Sequence, residues 1–263
     1  MTFRAYGVSV GVRVDDPHVL GSVLERLPPG WRPAASPRVE RLYSLIAGGG
    51  HGGRRGVRRF RLLYAGAELI ARSLDAEAVF ERFESDLQLY VAERAPRRLF
   101  VHAGVVGWKG RAVIIPGRSL SGKTTLVVEL VRAGAEYYSD EYAVLDREGR
   151  VHPYARPLAV REGEGLRQTR RTVDEFGGRA GVDPLPVGLV VVGRYEQGVS
   201  WGPRRLTPGE CVLELLSNTV PARRSPARAL STLTKAAAGA YALAGPRGEA
   251  ASVARAILRS LEA

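Results

Sequence analysis

Apolar and polar residues alternate at the start of the chain, putting Tyr6, Val8, Val10, Val12 and Val14 on one face. A period of two predicts a half-buried strand. Pro28-Pro29-Gly30 and the glycines from Gly48 to Gly53 interrupt the pattern and mark loops. Phe60 to Tyr64 and Leu69 to Ala71, separated by Gly66, predict a β-hairpin. From about Asp75 to Glu93 the period changes: Val79, Phe80, Phe83, Leu87, Tyr90 and Val91 recur at helical spacing. Ala95-Pro96 ends that helix, because a residue before proline is pushed away from helical angles. The expectation is a small α/β domain over residues 1–96 and a second domain over 97–263.

In the second part, Leu99 to Val106 and Arg111 to Ile115 read as strands joined by a tight turn at Lys109-Gly110. A helix starts near Lys123 with a buried stripe of Leu126, Val127, Leu130 and Val131, and Gly134 stands where helices commonly end. Short strands follow at Tyr137 to Asp140 and Tyr142 to Leu145, with a turn at Glu148-Gly149. Val187 to Val192 is a continuous apolar run, as expected of a central strand buried on both faces. The tail is expected to be helical. Thr207-Pro208-Gly209-Glu210 has the makings of a capping box. Ser225-Pro226 opens another helix that Gly245-Pro246 closes, and a last helix runs from about Glu249 with Val253, Ile257 and Leu261 on one side.

Composition narrows the class. The 263 residues are 45% hydrophobic and 25% charged, the balance of an ordinary folded protein. No apolar run approaches the roughly 20 residues that cross a bilayer, and the first residues lack the apolar segment of a secretory signal. A single cysteine, Cys211, allows neither an intrachain disulfide nor a cysteine-rich metal site. A cytoplasmic protein without a membrane partner is the expectation. The formal charge of +12 raises the question of a polyanionic partner. Its arginines are scattered, however, and the densest run (Arg54, Arg55, Arg58, Arg59, Arg61) lacks the signatures of common nucleic-acid modules. That run reads as a solvated loop or, more sharply, as a docking patch for an acidic peptide.

The chemistry lies in Gly117-Arg118-Ser119-Leu120-Ser121-Gly122-Lys123-Thr124, between an apolar strand and an amphipathic helix. Such a loop turns backbone N–H groups toward phosphate oxygens, and the helix N-terminus adds partial positive charge. Lys123 reaches the β- and γ-phosphates and the Thr124 hydroxyl serves as a Mg²⁺ ligand; Thr125 completes the nucleotide-binding segment. A triphosphate site also needs a carboxylate for the metal and a group to orient the acceptor. Asp140 and Glu141 follow the helix at once and are the candidates. Neighbours on a regular strand point to opposite faces, so both serve the metal only if the strand ends there. The later run at Val187 to Val192 ends in Gly193-Arg194, without the aspartate of a Walker B strand.

Val101-His102-Ala103-Gly104-Val105-Val106, the loop, and Tyr138-Ser139-Asp140-Glu141 together resemble the catalytic domain of HPr serine kinase/phosphorylase. The likeness is best over residues 100–161, and the C-terminal segment is similar to small HPr-kinase-like proteins, some of which act on peptides in ribosomal-peptide maturation clusters. The resemblance implies an α/β P-loop domain of the HPr kinase/phosphoenolpyruvate-carboxykinase type with a mixed sheet, preceded by the small N-terminal domain and ending in helices. It implies ATP and Mg²⁺ as cofactors, Asp140 as base toward an acceptor hydroxyl, Glu141 as a Mg²⁺ ligand, and His102 beside the transferring phosphate. Arg156 and Arg161 are further candidates for contacting phosphate or acceptor.

Three departures stand out. Lys123-Thr124-Thr125 replaces Lys-Ser-Glu, Glu141 replaces a second aspartate, and residues 161–166 do not reproduce the family's glycine-rich signature. They count against the reverse, phosphorylase reaction and against HPr as substrate. The expected activity is an ATP-dependent kinase acting on a hydroxyl, with a protein or peptide acceptor ahead of a small molecule. The alternatives are a nucleotide-binding regulatory or assembly protein without transfer and, further behind, a nucleic-acid binder.

Overall fold

The computed structural model describes residues 1–48, 59–117, 122–161 and 168–261. The chain divides into two compact units, Met1–Arg97 and Arg98–Ala263, each mixed α/β. Among the described residues there are six α-helices, none long and apolar enough to cross a membrane.

The first unit is a six-stranded sheet covered by a helix. Its strands are β1 (Thr2–Ala5), β2 (Val8–Val14), β3 (Arg32–Pro33), β4 (Arg41–Ile46), β5 (Arg61–Ala65) and β6 (Glu68–Ser73). The spatial order is β3-β1-β2-β4-β5-β6, antiparallel except for the β2–β4 pair. A short helix, α1 (Leu20–Leu24), follows β2; α2 (Ala76–Arg94) buries Val79, Phe80, Phe83, Leu87 and Val91 against Phe3, Val10, Tyr43 and Leu63. The Asp75 side chain accepts from the Glu77 N–H and so starts α2. The hairpin expected around Gly66 is β5–β6, with Gly66 at φ +64°.

The first strand is corrected. Tyr6 does not continue the alternation but sits at φ +51°, with Gly7 at φ +91°, in a tight turn between β1 and β2. Two successive positive φ angles match the right-handed twist of a hairpin. The alternation of apolar residues ran through the turn and concealed it.

The second unit is an eight-stranded mixed sheet with helices on both faces. Its strands are β7 (Leu99–Trp108), β8 (Arg111–Pro116), β9 (Glu136–Ser139), β10 (Tyr142–Leu145), β11 (Val151–His152), β14 (Val187–Tyr195), β15 (Arg204–Arg205) and β16 (Tyr241–Arg247). A separate ribbon joins β12 (Leu158–Arg161) to β13 (Gln168–Arg171). The sheet order is β11-β10-β7-β8-β14-β16-β15, with β9 also on β7. Strands β8, β14 and β16 are mutually parallel, whereas β7, β10, β11 and β15 pair antiparallel. Four helices complete it: α3 (Lys123–Arg132), α4 (Pro208–Ser217), α5 (Pro226–Ala237) and α6 (Ala250–Arg259). One core layer joins α3 and α6 to the sheet through Leu126, Val127, Leu130, Val253 and Ile257. The other joins α4 and α5 through Cys211, Leu215, Ala229 and Leu233.

The expectation of an all-helical tail is overturned. Gly245-Pro246 does not close a helix: α5 ends at Ala237, and Tyr241–Arg247 forms β16 in parallel pairing with β14. Proline is tolerated there because β15 covers only Leu243 and Ala244 on the outer side of β16. The box at Thr207 is present, its hydroxyl accepting from the Glu210 N–H. Ser225 makes no side-chain cap on α5.

Candidate functional site

The site lies where the parallel strands end and α3 begins. β7 and β8 form a hairpin through Lys109 (φ +48°) and Gly110 (φ +76°), which returns the chain along the sheet to Pro116. Gly117 follows, and its N–H donates to the His102 carbonyl at 3.2 Å. Arg118, Ser119, Leu120 and Ser121 of the expected phosphate loop lie outside the described residues. At the far end of the loop Gly122 takes a left-handed conformation, φ +77°, and caps α3. Lys123 is the first residue of α3 and is 8% exposed. Burial pushes its ammonium pKa down, opposed by the nearby negative charges of Glu141 and Asp140. Thr125 is exposed on the first turn.

Helix α3 can lie this close to the sheet because β7 carries Gly104. A Cβ at that position would fall 2.6 Å from Val127 Cγ2 and 3.8 Å from Lys123 Cβ. Gly134, at φ +103°, then reverses the chain into β9. β9 pairs with β7 so that Ser139 stands opposite Val105, and the Ala103 N–H donates to the Glu141 carbonyl. The acidic pair is thereby brought back beside the first turn of α3.

There the two carboxylates part company. Asp140 Oδ2 accepts from the Thr124 hydroxyl at 3.1 Å, and Oδ1 accepts from the Tyr137 hydroxyl at 2.9 Å. Burial pushes the Asp140 carboxyl above its ordinary range; the two hydroxyls pull it down, and the charge of Glu141 pushes it up. Glu141 instead turns toward His102, with Nδ1 to Oε1 at 3.6 Å. Both are open to solvent, at 34% for His102 and 41% for Glu141. The His102 ring also lies 4.7 Å from that of Tyr142. Ser139 stabilises the strand end that separates the carboxylates: its hydroxyl accepts from the N–H groups of Glu141 and Tyr142.

Tyr137 is the member that sequence reasoning missed. A buried aromatic on a short strand reads as core packing, and nothing in the spacing indicates that its hydroxyl meets Asp140. Burial, the Asp140 charge and the hydrogen bond together push its phenol well above the ordinary range, so it stays protonated and donates. Of the arginine candidates, Arg156 is half-buried, and burial with the neighbouring charge of Arg170 lowers its pKa to about 10. Arg161 ends β12, and its side chain lies outside the described residues. So do Arg54, Arg55 and Arg58 of the basic run.

The donor set suits a hard cation. The Thr124 hydroxyl and the Asp140 carboxylate are adjacent oxygen donors, and Mg²⁺ in nucleotide sites commonly uses one or two protein oxygens together with phosphate and water. No group of three or more His, Cys, Asp or Glu side chains arranged to hold a metal occurs among the described residues. The chain matches no family model and no curated protein.

Proposed function

We propose that the second unit is an ATP- and Mg²⁺-dependent kinase of the HPr-kinase-like P-loop type, transferring the γ-phosphoryl group to a hydroxyl, foremost a serine of a peptide or protein. The observation that carries this reading is the hydrogen bond between Thr124 and Asp140 at the start of the helix that follows the loop. A P-loop threonine beside a carboxylate is the protein's share of a Mg²⁺–triphosphate site.

Thr124 and Asp140 would hold Mg²⁺, which when bound neutralises charge on the β- and γ-phosphates. Lys123, buried at the helix start, would contribute a positive charge to the same phosphates. Tyr137 locks the orientation of Asp140 from behind. Glu141 and His102 face solvent, the side from which an acceptor arrives, and together accept the proton of the attacking hydroxyl. A bond forms between the acceptor oxygen and the γ-phosphorus, the bond to the bridging oxygen breaks, and ADP leaves. This assignment exchanges the roles that the family resemblance implies for Asp140 and Glu141. The exchange follows from which carboxylate meets the threonine.

The test is incubation with γ-labelled ATP, Mg²⁺ and a panel of serine-containing peptides and hydroxyl metabolites, followed by mass spectrometry. Label on an acceptor hydroxyl supports the reading. ATP binding without label on any acceptor overturns transfer, and absence of ATP binding overturns the site.

A further inference from the structure

Arg247, at the end of β16, is 3% exposed. Arginine is seldom buried so completely unless its donors are satisfied. Here Nη2 donates to the carbonyl of Gly122 at 3.1 Å and Nη1 to that of Gly248 at 3.3 Å. The guanidinium lies 5.7 Å from the centre of the Tyr195 ring, whose hydroxyl donates to Glu249 at 2.6 Å. Two glycines make room for it. A Cβ on Gly193 would stand 3.2 Å from Arg247 Cδ, and one on Gly122 would stand 2.6 Å from Nη2. The side chain thus reaches from the end of one parallel strand, across β14, to the glycine that closes the loop after β8.

We propose that Arg247 is a positioning residue for nucleotide binding: by holding the Gly122 carbonyl it fixes the left-handed turn from which Lys123 and Thr124 enter α3. The inference rests on the kinase reading and assigns Arg247 no contact with the reacting atoms. Gly122 has φ +77°, a conformation glycine adopts without strain, and the planar peptide that follows it fixes the Lys123 N–H opposite the Gly122 carbonyl. A guanidinium is suited to this task because its planar fork serves two carbonyls at once. The Tyr195 ring lies against the guanidinium and is itself held by Glu249.

The test compares wild type with Arg247→Gln, Arg247→Lys and Tyr195→Phe in calorimetric titrations with ATP·Mg²⁺, alongside melting of the nucleotide-free proteins. Loss of a charge-assisted hydrogen bond predicts Arg247→Gln to raise Kd roughly 10- to 100-fold. KM for ATP should rise with it, while kcat at saturation changes less. Arg247→Lys, keeping the charge and a donor, recovers part of the affinity, and Tyr195→Phe weakens binding about 2- to 5-fold. An unchanged Kd in Arg247→Gln or Arg247→Lys, with wild type binding normally, overturns the inference alone. So does an affinity loss matched by an equal fall in nucleotide-free stability. If wild type itself does not bind ATP·Mg²⁺, the kinase reading fails instead.

Discussion

The hydroxyl of Thr124 donates to one carboxylate oxygen of Asp140 at 3.1 Å, joining the first turn of α3 to the end of β9. The other carboxylate oxygen is held by Tyr137 at 2.9 Å. Asp140 therefore has both oxygens oriented before any ligand arrives. In a buried setting such pre-orientation lowers the cost of reorganisation during reaction.

Asp140→Asn should separate stability from activity. Burial raises the Asp140 carboxyl pKa in the folded state. The folded protein then holds that proton more tightly than the unfolded chain, so this group's stabilising contribution is full at low pH. It is lost as pH rises from about 4, the unfolded value, through the raised folded value. At neutral pH the asparagine variant should melt at the same or a higher temperature than wild type, with a flatter dependence on pH across that window. Its phosphoryl transfer should fall by at least about 100-fold. Melting curves over a pH series together with turnover assays check both.

Tyr137→Phe removes a hydrogen bond that lowers the Asp140 pKa, so that pKa should rise further. The acid limb of the pH–rate profile then moves to higher pH, and stability at neutral pH drops by about 1 kcal/mol. An acid limb that stays in place would remove Asp140 from the ionisations that control the rate.

Glu141→Gln and His102→Gln act on the solvent-facing pair. The expected result is a fall in kcat of roughly 100- to 10,000-fold, with ATP affinity little changed. Rapid-quench kinetics and calorimetry distinguish this from the effect of Lys123→Ala, which should weaken ATP binding itself.

Gly104→Ala tests the approach of α3 to the sheet. Its added methyl would overlap Val127 Cγ2, at 2.6 Å, in a fully buried layer. Overpacking of this kind costs about 1–3 kcal/mol, measurable by urea denaturation. Nucleotide affinity should fall as well, because the same displacement moves Lys123.

Local patterns in the sequence foretold much of the fold: the spacing of Val79 to Val91 in α2, the Lys109-Gly110 turn, the stripe of α3 and the capping box at Thr207 all recur in the structure. Features set by partners distant in sequence were not legible. A short apolar segment such as Tyr241 to Ala244 has no decisive period, and only its pairing with β14 makes β16 a strand rather than helix. The Tyr6 side chain fits the strand alternation although its backbone turns, so the pattern alone does not reveal the turn. In the site, the sequence puts an acidic pair directly after α3, and the structure brings Asp140 back to the first turn of that helix. Which carboxylate meets Thr124, the part played by Tyr137 and the reach of Arg247 all depend on strand register.

The central claim is that Thr124 and Asp140 form the metal side of a site that transfers phosphate to a hydroxyl. The most direct measurement follows γ-label from ATP, with Mg²⁺ and the panel of serine peptides and hydroxyl metabolites, in wild type and Asp140→Asn side by side, with ATP affinity measured on the same samples. The account predicts label on an acceptor hydroxyl for wild type and a loss of at least about 100-fold in the variant, whose fold is intact by melting. Transfer by Asp140→Asn at the wild-type rate, or ATP binding by wild type with no hydroxyl labelled, would contradict it.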